Sequence, residues 1–164
     1  MKRHSSAASV ALAVLTVLAV LGLAGPVAAG EQVPFKGGWE GSFTRTPIPG
    51  TPNALVITVG TGEATQLGHF SFDFQGIVQP ALPTETSYSF TAANGDKVFA
   101  AGFARNTVLP NGLRHVEETA TITGGTGRFA GATGSFFGER LRDIVTGEVI
   151  GFFEGTISSP GSGN

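Results

Sequence analysis

Glu118 is a charged residue in an apolar phase. In Val116-Glu117-Glu118-Thr119-Ala120-Thr121-Ile122 it alternates with Val116, Ala120 and Ile122, while Glu117 keeps step with the threonines. Further on, Phe136, Gly138 and Arg140 repeat the same alternation. If the two segments pair so that residue numbers sum to 258, Ile122 faces Phe136, Ala120 faces Gly138 and Glu118 faces Arg140. An odd sum breaks this arrangement, because a slip of one residue exchanges the faces of a strand. A carboxylate and a guanidinium on a core-facing side are expected to meet, since a lone buried charge is costly. Such a pair is either a structural ion pair or a polar anchor at the floor of an aromatic pocket, where Glu118 is the one candidate for acid–base catalysis. Trp39, Phe72 and Tyr88 are the aromatic residues expected to line that pocket with Glu118 and Arg140.

Other chemistries find less support. The chain contains no cysteine, which removes disulfides, thiolate metal sites and cysteine nucleophiles. His69 and His115 stand apart without a His-x-His or His-x-x-x-His pair, so no metal site is expected. No Gly-x-Ser-x-Gly occurs and no cofactor is implied. Gly124-Gly-Thr-Gly-Arg-Phe-Ala-Gly131 lacks the GK[ST] ending of a phosphate loop, has the wrong spacing for a dinucleotide fingerprint and joins two strands. Its glycines read as a turn that needs positive φ. Glu40, Glu139 and Glu154 fall on polar or mixed faces and are expected in solvent.

The elements that must position Glu118 and Arg140 are strands. After residue 34 the sequence shows short alternating runs rich in Phe, Val, Ile and Thr, with turn signals every ten or so residues. Phe35, Trp39 and Phe43 share a face. Leu55, Ile57 and Val59 alternate with more polar neighbours, and Phe70, Phe72 and Phe74 oppose His69, Ser71, Asp73 and Gln75. Tyr88 and Phe90 follow a proline-containing loop. Asn94-Gly-Asp96, Pro110-Asn-Gly112 and Thr146-Gly147 are hairpin turns between the later runs. Eight strands joined by short loops predict an all-β, eight-stranded antiparallel up-and-down β-barrel, with a two-sheet β-sandwich as the alternative. Glycines and alanines within the strands are expected to leave room inside it.

The N-terminus reads as an export signal over residues 1–29. Lys2, Arg3 and His4 precede an uncharged run from Ala7 to Leu23, and Val27-Ala-Ala29 offers a cleavage site; an uncleaved anchor is the alternative. A flexible lead-in is expected over 30–34, the barrel domain over 35–158 and a disordered tail over 159–164. Taking Lys2 and Arg3 from the ten basic residues leaves eight against twelve acidic ones, a net charge of −4. That balance, without basic clusters, argues against nucleic acid and anionic membrane surfaces as partners.

Ile122-Thr-Gly-Gly-Thr-Gly-Arg-Phe-Ala-Gly-Ala-Thr-Gly134 resembles the GGTG-x-F-x-x-A-x-G hairpin of plant dirigent proteins and the similar turn of allene oxide cyclases. Gly60-Thr-Gly-Glu-Ala-Thr-Gln-Leu-Gly-His-Phe70, Phe90-Thr-Ala-Ala-Asn-Gly-Asp96 and Phe153-Glu-Gly-Thr-Ile157 are similar to phrases of small secreted bacterial proteins with an allene-oxide-cyclase-like barrel. The resemblance implies an eight-stranded, calycin-like barrel with a ligand cavity, and self-association as dimers or trimers. The catalytic sets of the plant families find no matching positions here.

Three functions compete: a secreted barrel that binds a small hydrophobic molecule in its interior or mouth, an isomerase or cyclase of the allene oxide cyclase or dirigent type, and a structural or interaction protein whose barrel is packed solid.

Overall fold

In the computed structural model, residues 30–79, 82–158 and 160–161 are described; the expected signal segment lies outside them. Eight antiparallel strands close into a barrel in sequence order, β1 (Gln32–Pro47), β2 (Ala54–Ala64), β3 (Gly68–Val78), β4 (Thr84–Ala92), β5 (Lys97–Val108), β6 (Arg114–Gly125), β7 (Gly134–Arg142) and β8 (Glu148–Ser158). Pairing of β1 with β8 closes the ring and excludes the sandwich. The expected lead-in is corrected by the same ladder, where Gln32, Val33 and Pro34 pair with Ser158, Ile157 and Thr156. Proline is tolerated at position 34 because β2 pairs with β1 only from Gly37 onward.

Phenylalanine alternation on β3 sets the inward face. Phe70, Phe72 and Phe74 are buried, and the β2–β3 register places Gly62, Gly60 and Thr58 opposite them. Ala54, Val56 and Thr58 therefore point inward, while Ile57 and Val59 lie outside at 41% and 47% exposure. This reverses the face expected for β2. Both phases of Ala-Leu-Val-Ile-Thr-Val are apolar, so the register against β3 makes the choice.

The interior is aromatic. Phe35, Phe70, Phe90, Phe136 and Phe153 meet with ring centroids 4.9–6.1 Å apart. The room expected from in-strand glycines is taken up by neighbouring rings and backbone. A Cβ on Gly62 would stand 2.8 Å from Trp39 Cβ, and one on Gly151 2.8 Å from Trp39 Cζ2. Likewise a Cβ on Gly155 would stand 2.8 Å from Phe136 Cβ. These glycines admit large side chains rather than a ligand.

The GGTGRFAGATG segment closes one end. A β-bulge lets Phe99 and Ala100 pair with Gly124 and Ile122, bending β6 toward a short 3-10 turn over Gly127–Phe129. Phe129 is 1% exposed within the core. Arg128 Nη2 donates to Gln66 O at 2.7 Å, and Arg128 N donates to Asp96 Oδ2 at 3.3 Å. Gly127 has φ +55°, and a Cβ there would strike the Asp96 carboxylate. Pro160 and Gly161, placed in the expected tail, form a turn whose Gly161 N donates to Arg128 O at 2.8 Å; 159 and 162–164 lie outside the described residues. The connections after β1, β3, β5 and β7 gather at the opposite end.

Candidate functional site

That opposite end holds the polar interior. Strand alternation carries Thr58 inward from β2, Thr84, Thr86 and Tyr88 from β4, Glu118 from β6, and Arg140 and Arg142 from β7. Glu118, Arg140 and Arg142 are 4%, 3% and 6% exposed. The β6–β7 register runs two residues from the expected one. Glu118 faces Gly138, Val116 faces Arg140, Ala120 faces Phe136, and Arg114 faces Arg142. A shift of two preserves the face, and Gly138 leaves the space through which Glu118 and Arg140 meet on the diagonal. Glu118 Oε1 contacts Arg140 Nη2. The contact is an ion pair and not a well-directed hydrogen bond, since Oε1 accepts none, and Arg140 Nε and Nη1 donate none among the described residues.

The surrounding groups define the electrostatics. Thr86 Oγ1 donates to the Tyr88 hydroxyl at 3.0 Å, leaving the phenolic proton to stabilise the Glu118 carboxylate. Burial nevertheless holds the Glu118 carboxyl above its usual range against Arg140, Arg142 and Tyr88. Burial and the Glu118 charge also push the Tyr88 phenol up. Arg142 is lowered to about 10, chiefly by burial and then by Arg140, with Arg114 and Arg45 adding to the effect. The Arg140 guanidinium lies 3.9 Å over the Phe74 ring, and that of Arg142 lies 5.1 Å over Phe43. Arg142 Nε and Thr58 Oγ1 also find no hydrogen-bond partner among the described residues.

The five residues expected from the sequence form one connected path. Trp39 packs on Phe72 at 4.5 Å, Phe72 lies 6.2 Å from the Tyr88 ring, and Tyr88 borders Glu118, which pairs with Arg140. Trp39 and Phe72 belong to the aromatic packing, and Tyr88 is where rings give way to charge. Arg142, Arg114, Arg45, Thr58 and Thr86 were missing from the expected site. Arg142 and Arg114 had a readable signal, being in phase with Arg140 and Glu118.

The outer wall offers different features. His69 pairs with Glu63 at 3.0 Å and His115 with Glu139 at 3.6 Å, and no metal-binding cluster occurs among the described residues. An open groove of about 900 Å³ runs past Glu40, Val59, Thr61, Leu141 and Ile150. It contains none of the buried unpartnered polar atoms, so the chemistry favours the interior end.

The fold is that of the allene oxide cyclase and dirigent-like barrels. The chain is similar to the pterocarpan synthase dirigent protein PsPTS1, with a TM-score of 0.51 and 14% identity over 79% of this chain and 96% of that one. It is also similar to the pterocarpan synthase dirigent protein GePTS1, with a TM-score of 0.50 and 15% identity over 80% of this chain and 87% of that one. At such identities the likeness is one of fold. No protein-family model and no curated protein matches the chain.

Proposed function

We propose that this is an exported barrel that binds a small, largely hydrophobic molecule in the mouth bounded by Glu118, Arg140 and Arg142. The observation that carries the reading is the set of buried donors, Arg140 Nε and Nη1 and Arg142 Nε, without partners among the described residues and directly beside the Phe43 and Phe74 rings. Buried polar atoms are nearly always paired, and leaving one unpaired costs about 1–3 kcal/mol. A packed scaffold has no use for such a layer; a ligand with oxygen atoms and an apolar body satisfies it. The filled aromatic interior favours a molecule at the mouth over one deep in the barrel.

Native mass spectrometry of protein purified from its own host tests this directly. A stoichiometric small molecule, lost on replacing Arg140 and Arg142 by Met in a still-folded barrel, is the expected outcome. Apo protein alone, from cells and medium alike, counts against it.

A cyclase or isomerase reading draws support from Glu118, whose raised carboxyl stands beside Tyr88 as a buried acid–base pair. Under that reading Glu118→Gln retains the ligand and abolishes turnover of it, whereas under simple binding the ligand is recovered unchanged.

A further inference from the structure

We infer that the mouth selects a monoanionic organic acid, its carboxylate held by Arg142 and the free edge of Arg140, its apolar body against Phe43 and Phe74. This deepens the binding reading above and rests on it.

Charge balance is the first support. Glu118 and Arg140 neutralise one another. Arg142 is as deeply buried and has no carboxylate within ion-pair distance among the described residues, nor do Arg45 and Arg114 at the rim. Arg114 stands directly opposite Arg142 in the β6–β7 register, an arrangement of like charges that destabilises a sheet. Acids close in sequence do not relieve it. Asp143 Oδ1 accepts from Val145 N at 2.8 Å and Thr146 N at 3.3 Å, and Glu148 Oε2 accepts from Thr146 Oγ1 at 3.3 Å, so both serve the β7–β8 turn. Glu85 and Glu117 point outward.

Geometry is the second. Beside Thr58 Oγ1 and Glu118 Oε1, three of the five unpartnered atoms are guanidinium N–H groups, whose planar fork matches the two oxygens of a carboxylate. Rings lie against both guanidiniums, so an incoming anion meets apolar surface beside the charge. One buried cation without a counter-charge calls for one negative charge. Arg45 is exposed and Arg114 half-buried at the rim, where they attract an anion in solution and shed water at little cost.

The full mature chain, labelled with ¹⁵N at arginine, supplies the test. Benzoate is titrated against the arginine Nε–H resonances at constant ionic strength, with benzamide as the neutral isostere and inorganic phosphate as a second anion. Benzoate is expected to shift the Arg142 and Arg140 signals saturably, with benzamide weaker by about tenfold or more, as loss of a charge-assisted contact implies. Arg142→Gln is expected to weaken benzoate by a similar factor. No saturable benzoate response, an equal response to benzamide, or a stronger one to phosphate overturns the carboxylate assignment. If that happens while native mass spectrometry still finds a neutral molecule at the mouth, the binding reading stands and only the anion is wrong. If no molecule is found and benzoate is inert, both fall.

Discussion

Arg114 and Arg142 face one another across the β6–β7 ladder on the inner side of the barrel, and neither has an acidic partner within ion-pair distance among the described residues. Two cations in register are a stability cost the strand pattern does not require, because Leu or Val would serve a packed interior better.

Arg142→Met is therefore expected to stabilise the ligand-free protein by about 1–2 kcal/mol, the side chain keeping its contact with Phe43 while the buried charge disappears. Urea unfolding of the two proteins, with unchanged slope, is the measurement. A destabilised Arg142→Met means that Arg142 has a structural partner after all.

Glu118 gives a pH signature. Its carboxyl is raised above 4.5 by burial, against the opposing pull of Arg140, Arg142 and Tyr88. The folded chain thus holds this proton more tightly than the unfolded one. The stability it contributes is complete below about pH 4.5 and is lost as pH climbs through the folded value. Glu118→Gln removes that component, so the stability of wild type relative to the variant should fall as pH rises above about 4.5. A difference that stays flat, or grows with pH, would mean that Arg140 holds the carboxylate charged throughout.

Gly151→Ala tests how tightly the interior is filled. The new methyl would stand 2.8 Å from Trp39 Cζ2 and 2.9 Å from the Glu139 carbonyl oxygen. A loss of about 1–3 kcal/mol is expected, as for other overpacked cores. Trp39 is the sole tryptophan, so its emission should report the displaced ring. Unchanged emission and stability would reveal free space at this layer.

At the closed end, Phe129→Ala should cost about 3–4 kcal/mol, because a fully buried ring leaves a cavity. Arg128→Ala removes exposed contacts to Gln66 and Asp96 and the guanidinium 4.8 Å over the Phe129 ring, and should cost less. Thermal unfolding of both variants gives the comparison; equal losses would show that the segment is held by its polar rim.

Barrel architecture was legible because β3 alternates without ambiguity and the later hairpins carry Asn-Gly and Thr-Gly turns; Gly95, Gly112 and Gly147 all take positive φ. The face of β2 was not legible, since Leu55, Ile57 and Val59 are as apolar as the residues that point inward. Glu118 and Arg140 could be paired from phase alone, but their diagonal offset depends on the length of the 126–133 connection, whose 3-10 turn has no signature in strand alternation. Arg142 was legible in phase with Arg140, one inward position beyond the expected pair, and Leu141 beside it accordingly lies 38% exposed on the outer wall. Glycine was misread as empty space because a strand sequence does not say which neighbour will occupy the gap.

The most direct measurement is a crystal structure of the protein isolated from its own host. Ordered non-protein density touching Arg140 and Arg142, with its apolar part against Phe43 and Phe74, is the predicted result. Density confined to the outer groove beside Leu141 and Ile150, or waters alone satisfying Arg140 Nε, Arg140 Nη1 and Arg142 Nε, would contradict it.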